Sequence, residues 1–172
     1  MDETRNIVLI GMPAVGKSTV GVLLAKASRR AFLDTDVFLQ ATRGRALQEI
    51  IDSEGPDAFC LLEQRCVMAM DVRGHVIATG GSVIYSDAAM QHLADSGKIV
   101  HLDLPIEQIE RRLSNLTTRG LVIAPGRTLR DLYRQREALY RRWAGLTIDC
   151  AGKNQDQIVT EILDRLGRRE KR

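Results

Sequence analysis

Residues 11–19 read Gly-Met-Pro-Ala-Val-Gly-Lys-Ser-Thr, and no other stretch limits the fold as tightly. The spacing G-x-x-x-x-G-K-[ST] is that of a phosphate-binding P-loop. Gly11 and Gly16 allow backbone dihedrals that a side chain opposes. The loop's successive N–H groups, from Ala14 and Val15 through Gly16 to Thr19, can therefore turn toward phosphate oxygens. Lys17 adds a flexible cation for the outer phosphates, and Ser18 a hydroxyl for Mg²⁺. Residues 6–10, Asn-Ile-Val-Leu-Ile, form a short apolar run that reads as a buried strand. Residues 19–27 read as a helix, whose positive N-terminus faces the same anion. Strand, loop and helix in that order predict an α/β protein that binds a nucleoside triphosphate with Mg²⁺.

Bulk properties narrow the remaining options. A chain of 172 residues is expected to form one domain with a substantial core. Its 44% hydrophobic and 27% charged residues are ordinary for a water-soluble fold. No apolar run reaches membrane-spanning length, and Met-Asp-Glu-Thr-Arg at the N-terminus is not a signal sequence. A cytoplasmic monomer is the expectation. Cys60, Cys66 and Cys150 have no metal-ligand spacing and read as reduced thiols. A net charge of +3 is too small to argue for nucleic acid, and Arg168-Arg-Glu-Lys-Arg172 reads as a solvated tail.

Along the chain, strands are expected at 31–34, 75–79, 98–103 and 146–149 in addition to the first. Helices are expected at 36–41 (stopping near Gly44), 46–53, 57–70, 86–95, 105–115, 128–143 and 155–166. Ser86 reads as an N-cap, Gly97 as a stop and Pro105 as a helix opener. Residues 116–126 carry little helical pattern, and a loop of that length reads as a lid. Strand and helix alternate about five times, which predicts a parallel sheet with helices on both faces. In such sheets the ligand lies beyond the carboxyl ends of the strands. The P-loop, Asp34-Thr-Asp36, Gly80-Gly81 and Asp103 all fall there.

Two carboxylates one residue apart, Asp34 and Asp36, can serve different ligands. One can orient Mg²⁺ through water, and the other can take a proton or hydrogen bond from a substrate hydroxyl. The competing role is helix capping, with Asp36 as the cap. Thr79 stands where many P-loop proteins place an acidic Mg²⁺ partner, and the glycines after it let a ligand approach the backbone. Arg119, in the lid segment, suits stabilisation of a transferring phosphoryl group. Among Arg127, Arg130, Arg134 and Arg136, most read as a wet helix face, with one or two reaching the cleft. His75, His92 and His101 read as structural, and Tyr140 and Trp143 as anchors of a helix on the sheet.

Taken together these motifs resemble the shikimate kinase family, P-loop kinases that move the ATP γ-phosphoryl group onto a hydroxyl of a small cyclic acid. The resemblance covers essentially the whole chain. It rests on the P-loop followed by Val20-Gly21, on Phe32-Leu-Asp34-Thr-Asp36, on Gly55, Phe59 and Glu63, and on Ala78-Thr-Gly-Gly81. Arg111 after the Pro-led helix start, Arg119, and Arg136 with Tyr140 and Ala144 complete it. The resemblance implies a three-layer fold with a five-stranded parallel sheet of order 2-3-1-4-5, a substrate-binding region at about 34–62 and a lid at about 114–126. It implies Lys17, Asp36 and Arg119 as catalytic, with Asp36 as base, and Ser18 and Asp34 at Mg²⁺. Arg111 would lie against adenine. Phe59, the residue at position 60, Gly80, Gly81 and Arg136 would contact the acceptor, Arg136 gripping its carboxylate.

The departures from the family pattern are concentrated. The family usually reads Gly-Glu-x-x-Phe-Arg-x-x-Glu, whereas this chain has Gly55-Pro-Asp-Ala-Phe59-Cys60-Leu-Leu-Glu63. The Arg that contacts the shikimate carboxylate is thus Cys60, and Glu63 loses the partner it braces. Ser82 stands for a third Gly, Arg119-Gly-Leu-Val122 for Arg-Pro-Leu-Leu, and Ala138 for Pro. Nearly every ATP-side position is kept, and most changes fall on the acceptor side. The expectation is an ATP- and Mg²⁺-dependent kinase for a hydroxyl of a small hydroxylated acid, with shikimate, a hydroxy amino acid or a polyol as acceptor. A nucleotide-binding regulator without kinase activity would need neither Asp36 nor Arg119. A nucleoside kinase would need aromatic base contacts, which 4% aromatic residues make scarce.

Overall fold

The computed structural model describes residues 4–114 and 126–169. Its five strands are β1 (Asn6–Ile10), β2 (Ala31–Asp34), β3 (His75–Ala78), β4 (Gly97–Asp103) and β5 (Leu146–Asp149). All neighbouring pairs are parallel, in the spatial order β2-β3-β1-β4-β5. This is the sheet order that the resemblance implies. Central position explains composition: Ile7, Val8, Leu9 and Ile10 of β1 are each at most 2% exposed, because helices cover both faces of a parallel sheet.

Eight helices are described: α1 (Lys17–Ser28), α2 (Thr35–Arg43), α3 (Leu47–Glu54), α4 (Pro56–Met68), α5 (Asp87–Ser96), α6 (Ile106–Ser114), α7 (Leu129–Trp143) and α8 (Gln155–Arg169). Their ends follow local chemistry. The Ser86 hydroxyl caps α5 by accepting from the Ala89 N–H at 3.1 Å. Thr128 and Asp131 form a capping box that starts α7. Pro56 opens α4 at its first turn. The lid reading at 114–126 falls almost wholly outside the described residues, and Arg119 lies there with it.

Two apolar clusters divide the molecule. The larger one packs α1, α5, α6, α7 and α8 around the sheet. The smaller holds Leu39, Ile50, Ile51, Phe59 and Leu62 between α2, α3 and α4. Between the clusters, at the carboxyl ends of β1, β2 and β3, lie the P-loop, Asp34 to Asp36, and Thr79 to Ser82. Tyr140 is tied to the sheet by stacking on His101, with ring centroids 4.7 Å apart. Of the described residues, no helix is long and apolar enough to cross a membrane.

Candidate active site

The P-loop is held open by its backbone. Ala14 and Gly16 have φ of 62° and 109°, between which the chain turns into α1. No side chain caps α1, and no acid lies in its first turn. The first N–H groups of any helix lack intrahelical acceptors, and no side chain caps them at the Gly16 N-cap. Ser18 and Thr19 are exposed on that first turn. Lys17 donates through Nζ to Gly11 O at 2.8 Å and Met12 O at 3.2 Å. Burial pushes its pKa down to about 8, against the opposing pull of Asp36. A burial-penalised ammonium beside unmet amides is a fitting receptor for a polyphosphate, whose charge would restore the cation.

Asp34 caps α2. Its Oδ1 accepts from the N–H of Asp36 at 3.0 Å and of Val37 at 3.2 Å. The capping role that the sequence offered to Asp36 therefore belongs to Asp34, because the chain enters the helix one residue earlier than expected, at Thr35. The second oxygen of Asp34 and the Ser18 hydroxyl are suitable donors for a hydrated Mg²⁺. No cluster of three or more His, Cys, Asp or Glu able to hold a metal occurs among the described residues. Thr35, between the two acids, receives the Gly80 N–H on its Oγ1 at 2.7 Å. Asp36 is thereby freed from capping, and burial raises its pKa while Lys17 lowers it.

The corner beyond Asp36 is unusual in its polar accounting. Glu63 is 5% exposed and Arg136 2%. Arg136 Nη1 has no hydrogen-bond partner, and the Glu63 carboxylate has no charged one, with only the uncharged Ser82 hydroxyl and N–H close to it. Arg136 reaches the site from the buried stripe Leu132, Arg136, Tyr140 of α7, an i, i+4, i+8 spacing that places all three on one face. Its Nε donates to the Tyr85 hydroxyl at 3.0 Å, and its guanidinium lies 5.1 Å from the Tyr85 ring centroid. Burial pushes Glu63 up to about 7, with the nearby Asp36 carboxylate adding to the effect. The Cys60 thiol is raised by burial and by Glu63, with Ser82 and Arg136 opposing, so its sulfur faces the same corner.

Gly80 sits at the centre. A Cβ there would collide with Glu63 Oε1 and Asp36 Oδ1, and one on Gly81 would stand 3.0 Å from Arg136 Nη1. Only bare backbone leaves these three charged groups room around one point.

The structure brings Lys17, Asp34, Asp36, Cys60, Gly80, Gly81 and Arg136 to one edge of the sheet. Three expected site residues make protein contacts of their own. Arg111 is exposed, with Nε donating to Glu107 O at 3.3 Å. Its neighbour Arg112 instead reaches the P-loop, donating through Nη1 to Ala14 O at 3.2 Å and Val15 O at 2.9 Å. Phe59 is 2% exposed inside the smaller apolar cluster and supports the pocket wall from behind. Gly80 gives its amide to Thr35, so its contribution is space. Sequence reasoning missed Arg112 and Tyr85; for Tyr85, on a short 3-10 turn (Val83–Tyr85), no periodic pattern was available to flag it. Thr79 lends its hydroxyl to Leu9 O at 3.1 Å and is structural. Arg130 pairs on the surface with Glu107 and Glu110, as expected of a wet face.

Comparison with known proteins agrees with this geometry. The family pattern described as shikimate kinase matches residues 13–167. A shikimate kinase of Pseudomonas fluorescens is 37% identical over 165 residues, spanning 94% of this chain and 96% of the relative. One from Caldanaerobacter subterraneus is 34% identical over 92% of this chain and 94% of its own. Among solved structures, the shikimate kinase of Acinetobacter baumannii in complex with shikimate superposes with a TM-score of 0.85 at 31% identity, over 95% of this chain and 93% of that one. The chain belongs to the shikimate kinase family, phosphotransferases that act on an alcohol group.

Proposed function

We propose that the protein transfers the γ-phosphoryl group of ATP, with Mg²⁺, to a hydroxyl of a small hydroxylated acid. The observation that carries this reading is Arg136, an arginine 2% exposed with an unpartnered Nη1 beside Gly81. A buried guanidinium with a free N–H is a receptor for a carboxylate. Asp36, whose Oδ1 lies against Gly80, is the group that takes the hydroxyl proton as the oxygen attacks phosphorus. Lys17 and the first amides of α1 hold the phosphates, Ser18 and Asp34 orient the Mg²⁺, and the cation neutralises phosphate charge. Arg119, outside the described residues, would reach the phosphates from the lid segment. The substrate-binding region is taken as about 34–62 together with Arg136.

The names of the relatives make shikimate the first acceptor to test. A second reading, the same chemistry on another small acceptor, is favoured by Glu63, without a charged partner, next to Cys60. The experiment is a coupled ADP-release assay with Mg²⁺ and ATP over shikimate, hydroxy amino acids, polyols and nucleoside monophosphates. ADP formation that depends on a hydroxy acid supports the proposal. ATP binding with no acceptor-dependent ADP across the panel would leave a nucleotide-binding protein without kinase activity, and turnover of nucleoside monophosphates alone would replace the acceptor class.

A further inference from the structure

We propose that the acceptor is a zwitterion, a hydroxy amino acid whose carboxylate meets Arg136 and whose ammonium meets Glu63. This rests on the kinase reading above and names the substrate class within it.

The argument starts from two side chains that are more than nine-tenths buried and incomplete. Glu63 has no cationic partner, only the uncharged Ser82 beside its oxygens, and Arg136 has one Nη without an acceptor. Their charges are opposite and both point at the Gly80-Gly81 backbone, yet no ion pair joins them among the described residues. A buried ion left unmet is costly; without a ligand Glu63 offsets that cost by holding its proton more tightly, and a cationic ligand group would favour its charged form. The neighbours of Glu63 cannot supply one. Cys60, one turn earlier on α4, offers a thiol whose own ionisation Glu63 opposes. Asp36 is another carboxylate, and Ser82 carries no charge.

Counting charge then selects the ligand. Asp36 and Glu63 stand against the single guanidinium of Arg136 on the acceptor side. A simple hydroxy acid would satisfy Arg136 and bring a third carboxylate into the corner, leaving Glu63 unmet. A polyol would offer hydrogen bonds to Glu63 but nothing for Arg136. An α-amino acid carries both missing charges on one carbon, and its side-chain hydroxyl can extend toward Asp36. In the transfer, the hydroxyl oxygen forms a bond to Pγ, and the bond from Pγ to the β,γ-bridging oxygen breaks. Its electron pair leaves with ADP, and the hydroxyl proton passes to the Asp36 carboxylate. The products are ADP and an O-phospho amino acid.

The test uses matched pairs that differ only in the amine. The full chain with Mg²⁺ and ATP is assayed for ADP release and for the phosphorylated product by ³¹P NMR. L-homoserine is set against 4-hydroxybutyrate, L-serine against 3-hydroxypropionate, and shikimate is a fifth acceptor. In at least one pair the amine-bearing member is expected to have about tenfold or more higher kcat/KM. Glu63→Gln should collapse that ratio, and Cys60→Arg should lower turnover of the amine member while raising that of shikimate. Equal turnover within both pairs, or shikimate outperforming both amino acids, overturns the inference and leaves the kinase reading standing. No ADP release with any of the five, from protein whose unfolding midpoint rises with Mg²⁺ and ATP, overturns the kinase reading and the inference together. If Glu63→Gln fails to fold, the wild-type pairs decide the matter alone.

Discussion

The two sides of the sheet edge are finished to different degrees. On the nucleotide side, Lys17 has two carbonyl partners and Arg112 two more, and the strand beneath them is sealed to within 2% of full burial. On the acceptor side, Glu63 and Arg136 are sealed as tightly but lack charged partners. On the first side both cations, Lys17 and Arg112, are met by carbonyls of their own chain, and what is left for a ligand is the uncapped start of α1. The second leaves its charges for a ligand to complete. A ligand that completes buried charges is selected by their number and sign, so on the proposed reading acceptor choice resides in this corner.

The largest expected effect tests whether the two sides meet at Asp36. Asp36→Asn keeps shape but cannot take a proton. Acceptor-dependent ADP release should fall by about 10²–10⁴-fold, while ATP binding, measured by the rise in unfolding temperature, stays within about twofold. An equal loss of both would place Asp36 on the nucleotide side and dissolve the distinction.

Legibility in the sequence followed the range of the physics. The P-loop could be read because its geometry is set by consecutive residues, and the alternation of apolar strands with helices gave the layered sheet. Arg136 was set apart from three other arginines only by the family resemblance; that it shares a buried face with Leu132 and Tyr140 is known from the packing of α7. Arg111 and Arg112 could not be separated that way. Adjacent helical residues point about 100° apart, and only the packing of α6 on the loop decides which one turns inward. Asp36 alone was read as a possible cap, and the helix start at Thr35 gives that role to Asp34. Glu63 was visible as a residue without its usual partner, but its isolation depends on distances to α7 and β3 that no local pattern carries.

The unmet charge of Glu63 has a consequence for stability. Its pKa is about 7 in the folded protein against an ordinary 4.5. The folded state therefore holds the proton more tightly than the unfolded chain. Below about pH 4.5 both states are protonated and nothing is lost. As pH rises from 4.5 through 7 the unfolded chain releases the proton first, and stability declines by about 3 kcal/mol in total. Denaturant unfolding of the ligand-free protein at pH 5 and pH 7.5 should reveal this slope. Glu63→Gln should flatten it, making the variant relatively more stable at the higher pH. An identical slope in both proteins would mean that Glu63 finds a partner, and the acceptor side would be no less finished than the other.

The smallest effect concerns the finished side. Arg112 donates to the carbonyls of Ala14 and Val15, which fixes the positive-φ turn at Ala14. Removing a charged donor from two carbonyls costs about 1–2 kcal/mol, enough to raise the KM for ATP roughly tenfold. Arg112→Ala should do so while leaving the KM for the acceptor nearly unchanged, because α6 makes no hydrogen bond to Asp36, Glu63 or Arg136 among the described residues. Arg111→Ala, one residue away and exposed, should change the KM for ATP by less than about twofold. The reverse ranking would return the nucleotide contact to Arg111 and require α6 to turn by about one residue, some 100°, when ATP binds. The nucleotide side would then be rearranged by its ligand.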